Sequence, residues 1–419
     1  MPPSRRAVVF DPGLSAAVGH HADVNSLVLA GLRQAGWDAE LWADRAAGSH
    51  ELASLLPGVR PVLEGAGYID PRHWCDLAGS LHQASRLRPQ LAEAVRGEPV
   101  AVWVAHSLLP FQLIALALLL QQQPPAQVLI SLMFGPGELL GGQPDHDLQA
   151  QRQAAELNTR TALAALAQAV ARAGHRLTLG SGCSQLIERL APLCASAGLP
   201  SPQLHPAVVL ADPPSATAAT ASLGGAQVLL HWGERKADKG RELGVAVLEH
   251  LLRADALPPP LRDCQWCFHA AGTKPDAPEA ARLQQAAGHP QITVLEGHQG
   301  RDRMLAALGR TSLALLPYCP VAYAERSSGV LWLYGASRLA LGQPARVVGF
   351  RGGWLEREAE ALGIGWQPLP PNPSAGEILG AIAHGLEAPP ATASADGLAV
   401  LQGSFPAWLA EQLVADNLN

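Results

Sequence analysis

Short apolar runs alternate with longer amphipathic ones along the whole chain. "RAVVF" (6–10), "DAELWA" (38–43), "VAVWVAH" (100–106) and "AQVLISLMF" (126–134) read as strands. Between them, "ADVNSLVLAGLRQAG" (22–36) carries apolar residues at helical spacing, and 110–120 is an apolar helix. A long amphipathic helix follows over 147–173, and "RLTLGSGCSQLIERL" (176–190) reads strand, turn, helix. The breaker run "GPGELLGGQP" follows the strand at 126–134, and the Pro-rich, small-residue stretch 211–225 reads as a linker. After it the alternation restarts. Strands are predicted at 226–233, 264–272, 291–297, 312–318 and 345–350, with helices at 240–253, 277–287 and 301–309. Residues 388–397 read as a loop and 405–417 as a last helix. Such alternation implies parallel sheets with crossover helices. The expected class is therefore α/β, with two Rossmann-like, doubly wound parallel-sheet domains facing a cleft. Their predicted bounds are 1–215 and 216–390, with 391–419 a C-terminal helical segment packing back on the first.

Composition narrows the function classes. The chain has 419 residues, 48% hydrophobic, with a net charge of −6 and a pI near 6.2. A nucleic-acid partner is not expected from that balance. Six cysteines in so long a chain make no disulfide framework, so a reduced, cytoplasmic setting is expected. Cys264 and Cys267 have CxxC spacing but sit in an apparent buried strand without a second pair nearby, so they read as core residues. The start "MPPSRRAVVFDPG" lacks the apolar stretch of a signal peptide. The longest apolar run, 113–120, is far too short to span a bilayer. Peripheral contact with the inner face of a membrane stays open, as does the oligomeric state.

Candidate chemistry gathers where strands of the second half end. "WGERKADKGRE" (232–242) puts Arg235, Lys236 and Lys239 between a strand that ends at Gly233 and a helix opened by Gly240. Cations beside a helix N-terminus suit a diphosphate, because charge-assisted hydrogen bonds to phosphate are strong. A solvated charged loop is the competing reading. Gly272 follows the next strand and would let a ligand approach the backbone; a plain turn is the alternative. "LLPYCPVAYAE" leads into "AERSSGVLW" (324–332), where small polar residues open an apolar helix. The N–H groups of such a start attract anions. Ser327, Ser328, Gly329 and Val330 could donate to phosphate, Arg326 lies beside them, and Glu325 could accept from sugar hydroxyls. An ordinary serine helix cap is the other reading.

Taken in order, "GERKADKG", the glycine after the next strand and "ERSSGVLWLYGASRLALGQPARVV" (325–348) resemble the nucleotide-sugar half of GT-B-fold glycosyltransferases. The resemblance is to the large retaining group of glycosyltransferase family 4. It covers nearly all of 226–387 and continues more loosely into the first half. It implies the GT-B fold and a nucleoside-diphosphate sugar as donor substrate, with no cofactor and no metal required. Arg235, Lys239 and Glu325 would act on the donor, and Gly19, Gly233, Gly272, Arg326, Ser327, Ser328, Gly329 and Val330 would bind it. The sequence departs from the family at its second glutamate, eight residues after the first. Leu333 stands there, with Tyr334 next.

In the first half, "DPGLSAAVGHHADVN" (11–25) fills the first strand–helix loop. Relatives use a Gly-rich loop there, against donor phosphate and acceptor, which makes Gly19 a candidate for the donor and His20, His21 and Asn25 candidates for the acceptor side. A solvated loop is the alternative. His106, at the end of "AVWVAH", is the nearest substitute for a histidine that relatives carry near the reacting sugar. No nucleophile–base pair is evident in the sequence. The first expectation is a metal-independent retaining transferase acting on a surface polysaccharide, glycolipid or related glycoside acceptor. The second, supported by the absent carboxylate, is a GT-B protein without turnover that binds a sugar nucleotide or glycan or partners an active transferase. A sugar-nucleotide epimerase is the third.

Overall fold

A computed structural model of the protein describes all residues except 1–4, 18–19, 66, 68–72, 74, 96, 98, 137–147, 209–225, 234–235, 255–256, 275–276, 298 and 414–419. The predicted linker at 211–225 and most of the breaker run lie outside the described residues. The chain divides into two compact units, Met1–Asp212 with Gly403–Asn419, and Pro213–Gln402.

The first unit runs β1 (Arg6–Asp11), α1 (His20–Gln34), β2 (Asp38–Asp44), α2 (His50–Leu55), β3 (Val59–Leu63), α3 (Leu77–Ala94), β4 (Val102–His106), α4 (Pro110–Leu120), β5 (Gln127–Ser131), α5 (Leu148–Ala173), β6 (Arg176–Ser181), α6 (Ser184–Ser196) and β7 (Gln203–Leu204). Its seven strands are all parallel, in the order β3-β2-β1-β4-β5-β6-β7. β4 and β5 are buried at every position, as helix-covered parallel strands must be.

The second unit runs β8 (Gln227–His231), α7 (Arg241–Arg253), β9 (Gln265–His269), α8 (Ala280–Ala287), β10 (Ile292–Leu295), α9 (Arg301–Arg310), β11 (Thr311–Leu315), α10 (Gly329–Ala340), β12 (Arg346–Phe350), α11 (Trp354–Ala361), β13 (Gly365–Leu369), α12 (Ala375–Glu387) and α13 (Ala395–Gln402). Its parallel sheet has the order β10-β9-β8-β11-β12-β13. Val228, Leu230, Trp266, Phe268, Leu313 and Val348 form its centre, with α7 and α12 packed against them. Cys264 and Cys267 are buried here, and burial raises their thiols to about 11 and about 12, which suits core residues.

The last helix, α14 (Phe405–Leu413), returns to the first unit and packs on α1. Phe405, Leu409 and Leu413 are buried there, and Gly31 of α1 admits the approach: a Cβ on it would stand 2.8 Å from the Pro406 carbonyl oxygen.

Three expectations need correction. The loop predicted over 388–397 ends at Ser394, where the Ser394 hydroxyl accepts from the Gly397 N–H and α13 begins. β3, with its exposed proline, and β13, which opens on a glycine and carries a proline, are strands that carry too little apolar pattern to be read as such. Both are sheet edges, where a strand needs less apolar cover.

Candidate functional site

Each sheet reverses its strand order once, between β1 and β4 in the first unit and between β8 and β11 in the second. Crossovers leave such a point in opposite directions and open a crevice at the strands' carboxyl ends, where α/β sheets bind ligands. The candidate residues gather at these two points.

In the second unit, β8 exits through Gly233 in a left-handed conformation (φ 108°), its N–H donating to His269 Nδ1 at 3.1 Å. The 3-10 turn Ala237–Lys239 follows, then Gly240, also left-handed (φ 61°), which starts α7. β11 exits through Pro317 and Tyr318. The two exits are tied together: the Cys319 N–H donates to the Asp238 carbonyl at 2.8 Å, and Lys239 Nζ sits 6.0 Å from the Tyr318 ring centroid. Gly233 also lies against Lys239, since a Cβ on it would be 2.9 Å from Nζ. His231, at the end of β8, is held neutral, its pKa lowered to about 3 by burial and then by the positive charges of Arg241 and Lys239. Gly272 is left-handed (φ 68°) after β9, and Arg241 braces that turn by donating to the Ala271 carbonyl and the Thr273 hydroxyl.

The serine–glycine turn lies beside this loop. Ser328 is the N-cap of α10 and its hydroxyl accepts from Leu331 N–H at 3.5 Å. Gly329 and Val330 form the first turn of the helix. Two of the predicted residues also have partners in the protein. The Ser327 hydroxyl donates to Glu358 on α11, which fixes the turn. Arg326 pairs with Asp238 at 3.2 Å and lies over the Tyr323 ring at 4.9 Å, joining the turn to the basic loop. Glu325 is half-buried in the same loop. Arg235 and Gly19 lie outside the described residues.

Glu358 is buried and also accepts from the Trp332 indole N–H at 2.8 Å. Glu358→Ala would strand both donors. A loss of about 3 kcal/mol is expected in urea unfolding, with a much smaller loss for Glu358→Gln, which keeps an acceptor. Equal losses for the two variants would refute the hydrogen-bond role.

At the first unit's reversal point, three of the predicted residues, His21, Asn25 and His106, converge on one the sequence did not single out, Asp11, fully buried at the end of β1. His21 Nδ1 lies 2.8 and 2.9 Å from its two carboxylate oxygens, Asn25 Nδ2 donates to Oδ2 at 2.5 Å, and the Gly13 N–H donates to Oδ1 at 3.0 Å. His106, at the end of β4, reaches the Asn25 amide oxygen with Nε2 at 3.0 Å. Its Nδ1 meets the Ser107 hydroxyl at 3.1 Å, and His20 Nε2 is 3.4 Å from that hydroxyl. In one consistent orientation His20 donates to Ser107, Ser107 to His106, His106 to Asn25, and Asn25 and His21 to Asp11, with Met133 Sδ, 3.0 Å from the Ser107 hydroxyl, as a competing acceptor. Burial alone would raise the Asp11 carboxyl, but the facing imidazoles of His21 and His106 and the hydrogen bonds from His21 and Asn25 outweigh it and hold it at about 2. Burial pushes His106 down to about 4 against the pull of Asp11. Ser107 is held left-handed (φ 54°), an uncommon state for a serine.

Asp11, His21 and His106 present ligand atoms within 4.8 Å of one another. Two ligands on one zinc at about 2.0–2.1 Å stand about 3.3 Å apart. The His21–Asp11 separation of 2.8 Å is that of a direct hydrogen bond, so the cluster fits an imidazole–carboxylate network better than a metal centre. The sequence signal for Asp11 was its place, an acid at the end of the first strand two residues before a glycine.

No protein-family profile matches the chain, and no curated protein matches it. Solved structures do. An α,α-trehalose-phosphate synthase (UDP-forming) from Burkholderia xenovorans, in complex with glucose-6-phosphate, superposes with a TM-score of 0.56 at 13% identity, over 97% of this chain and 98% of that one. The N-terminal domain of trehalose-6-phosphate phosphatase from Candida albicans gives 0.56 at 12%, over 98% and 92%. A structure described as a UDP-N-acetylglucosamine 2-epimerase, from Listeria monocytogenes, gives 0.50 at 13%, over 98% and 93%. Identities this low speak to fold alone. The protein has the GT-B fold, with two parallel-sheet Rossmann-like units of seven and six strands.

Proposed function

We propose that this protein is a glycosyltransferase that moves a sugar from a nucleoside-diphosphate sugar to a hydroxyl of a glycan or lipid-linked acceptor. The observation that carries this reading is that the basic loop bearing Lys239 is tied, through Asp238–Arg326 and through Lys239 beside Tyr318, to the segment that opens α10 at the reversal point of the second sheet. A cation facing a helix N-terminus stabilises the diphosphate as it departs with the electron pair of the glycosidic bond, and this electrostatic assistance requires no metal. The order of motifs in the second half favours retention of configuration. Arg235 is assigned to the same diphosphate on that order, and Glu325 to the sugar. The UDP-forming synthase of Burkholderia xenovorans shares the fold and fits a donor of this class. A cytoplasmic setting belongs to the same proposal, and among the described residues no helix is long and apolar enough to cross a membrane.

One observation favours a second reading, binding without turnover. Leu333 and Tyr334 stand where the family places its second carboxylate. Both are buried, and the Tyr334 hydroxyl is taken up by the Arg346 backbone. Neither can hold ribose hydroxyls.

The test is thermal unfolding with UDP, GDP, ADP, TDP and CMP, on wild type and on Lys239→Ala. A ligand of the folded state alone raises the melting temperature once its concentration exceeds Kd. One nucleotide is expected to shift wild type, and the variant to bind it about 10- to 100-fold more weakly, the range for a charged hydrogen bond. No shift with any nucleotide would overturn the proposal. Binding without release of nucleoside diphosphate from any sugar nucleotide would favour the second reading.

A further inference from the structure

The first unit holds a cavity that sugar transfer, as argued above, does not use. We propose that this cavity binds the hydrocarbon end of a small, single-chained amphiphile. The inference stands on the first unit alone and does not depend on what the second unit binds.

The cavity has a volume of about 50 Å³ and lies beyond the carboxyl ends of β4 and β5, between α4 and α5. Open α/β sheets take their ligands at that end. Roughly 10–15 Å³ admits one water, so the space exceeds an ordinary packing gap. Its wall is mostly hydrocarbon, supplied by Leu108, Leu109, Leu113, Leu132, Phe134 and Leu163. Among the described residues that line it, none is charged. Asn158 and Thr159, also in the wall, donate to backbone carbonyls, those of Cys75 at 3.2 Å and Ala155 at 2.9 Å. A sugar entering here would exchange water for hydrocarbon at a cost, whereas an alkyl chain gains by the same exchange. Pro110 and Pro136 stiffen two of the edges, so the space is formed in advance.

The neighbouring polar cluster says what kind of molecule carries the chain. Ser107, in its left-handed state, leads directly from His106 to Leu108 and Leu109. Its hydroxyl meets Met133 Sδ at 3.0 Å, while the residues on either side of Met133, Leu132 and Phe134, line the cavity. The Ser107–Met133 contact is therefore a border, with imidazoles and a hydroxyl on one side and hydrocarbon on the other. A molecule with both characters suits it. The uncommon serine backbone stands at this border, and such conformations collect at ligand sites. The volume is small, so only the end of the chain enters.

The experiment uses n-alkyl β-D-glucopyranosides from methyl to octyl, each below its micellar concentration, with Kd read from the ligand-induced melting shift. In wild type Kd is expected to fall about 4-fold per methylene over the first few, then level off when the cavity is full. Ala155→Leu puts a branched side chain into the space and should flatten the series. Leu113→Ala enlarges it and should carry the fall to longer chains, which keeps the test open if the filled variant does not fold. A Kd independent of chain length in wild type would overturn the site. So would a fall that continues undiminished to octyl, the mark of adsorption to the surface, or a series that neither variant alters. Phosphatidylcholine vesicles distinguish a free amphiphile from a membrane lipid: wild type should stay in the supernatant on sedimentation, and retention on the vesicles would overturn the free, single-chained ligand.

Discussion

Between pH 7 and pH 4.5 the first unit is expected to lose on the order of 5 kcal/mol of stability. Burial holds two of its histidines far below the ordinary imidazole value of 6.5. His106 is at about 4, and His205 is also at about 4, with its hydrogen bond to the Pro206 carbonyl opposing the effect. His205 Nδ1 donates to that carbonyl at 2.8 Å and Nε2 accepts from the Ser131 hydroxyl at 2.8 Å, so the neutral ring has no room for a second proton. Phe405 and Trp408 flank it at 5.1 and 4.9 Å between centroids. The sign is fixed by where the protons bind. Below pH 6.5 the unfolded chain takes them up and the folded one does not. The stabilisation is therefore complete above 6.5 and lost as pH falls towards 4. Each histidine contributes on the order of 3 kcal/mol. Asp11 acts only lower, between 3.8 and about 2. Urea midpoints followed by tryptophan fluorescence at pH 7, 5.5 and 4.5 would record the slope. His205→Gln should be less stable at pH 7 but show a flatter profile. A profile parallel to wild type would show that His205 is not among the groups responsible.

Gly240→Ala is expected to cost upward of about 3 kcal/mol and to weaken nucleotide binding with it. The left-handed conformation alone costs a side chain roughly 1–2 kcal/mol. The larger part is contact, because the new Cβ would stand 2.3 Å from the Pro317 carbonyl oxygen, which is backbone and cannot swing aside. Relief requires the exits of β8 and β11 to part, and that moves Lys239 away from Tyr318 and the start of α10. Gly36→Ala is the control. It is equally left-handed (φ 79°) but meets nothing within 4 Å, so it should cost only the conformational part. Similar losses for the two variants, or intact nucleotide affinity in Gly240→Ala, would contradict the close-approach argument.

Much of the fold was legible because buried parallel strands are runs such as "VAVWVAH" and "AQVLISLMF", and the helices between them keep their period. β3 and β13 were not, because edge strands with glycine or proline carry no such run. Of the site, the histidine doublet, Asn25, His106, Lys239 and the serine turn were visible as residue types at strand ends. What could not be read was partnership. Nothing in the spacing says that Ser327 answers to Glu358, 31 residues on, or Arg326 to Asp238, 88 residues back. Nor does it show that Asp11 gathers His21 and His106: a hydrophobic pattern places elements, while side-chain pairing depends on which loops the topology brings face to face.

The return of α14 to α1 sets an order on synthesis. Residues 405–413 emerge from the ribosome after the whole of the second unit, yet they cover the apolar face of the first unit's opening helix. During translation the face of α1 around Gly31 therefore waits for cover while some 370 intervening residues are made, counting from Gln34 to Phe405. The first unit is the earlier to begin and the later to finish. A nascent chain stalled anywhere in the second unit would present a sticky helix to chaperones and to other nascent chains, a hazard that grows with elongation time rather than with the stability of the finished protein.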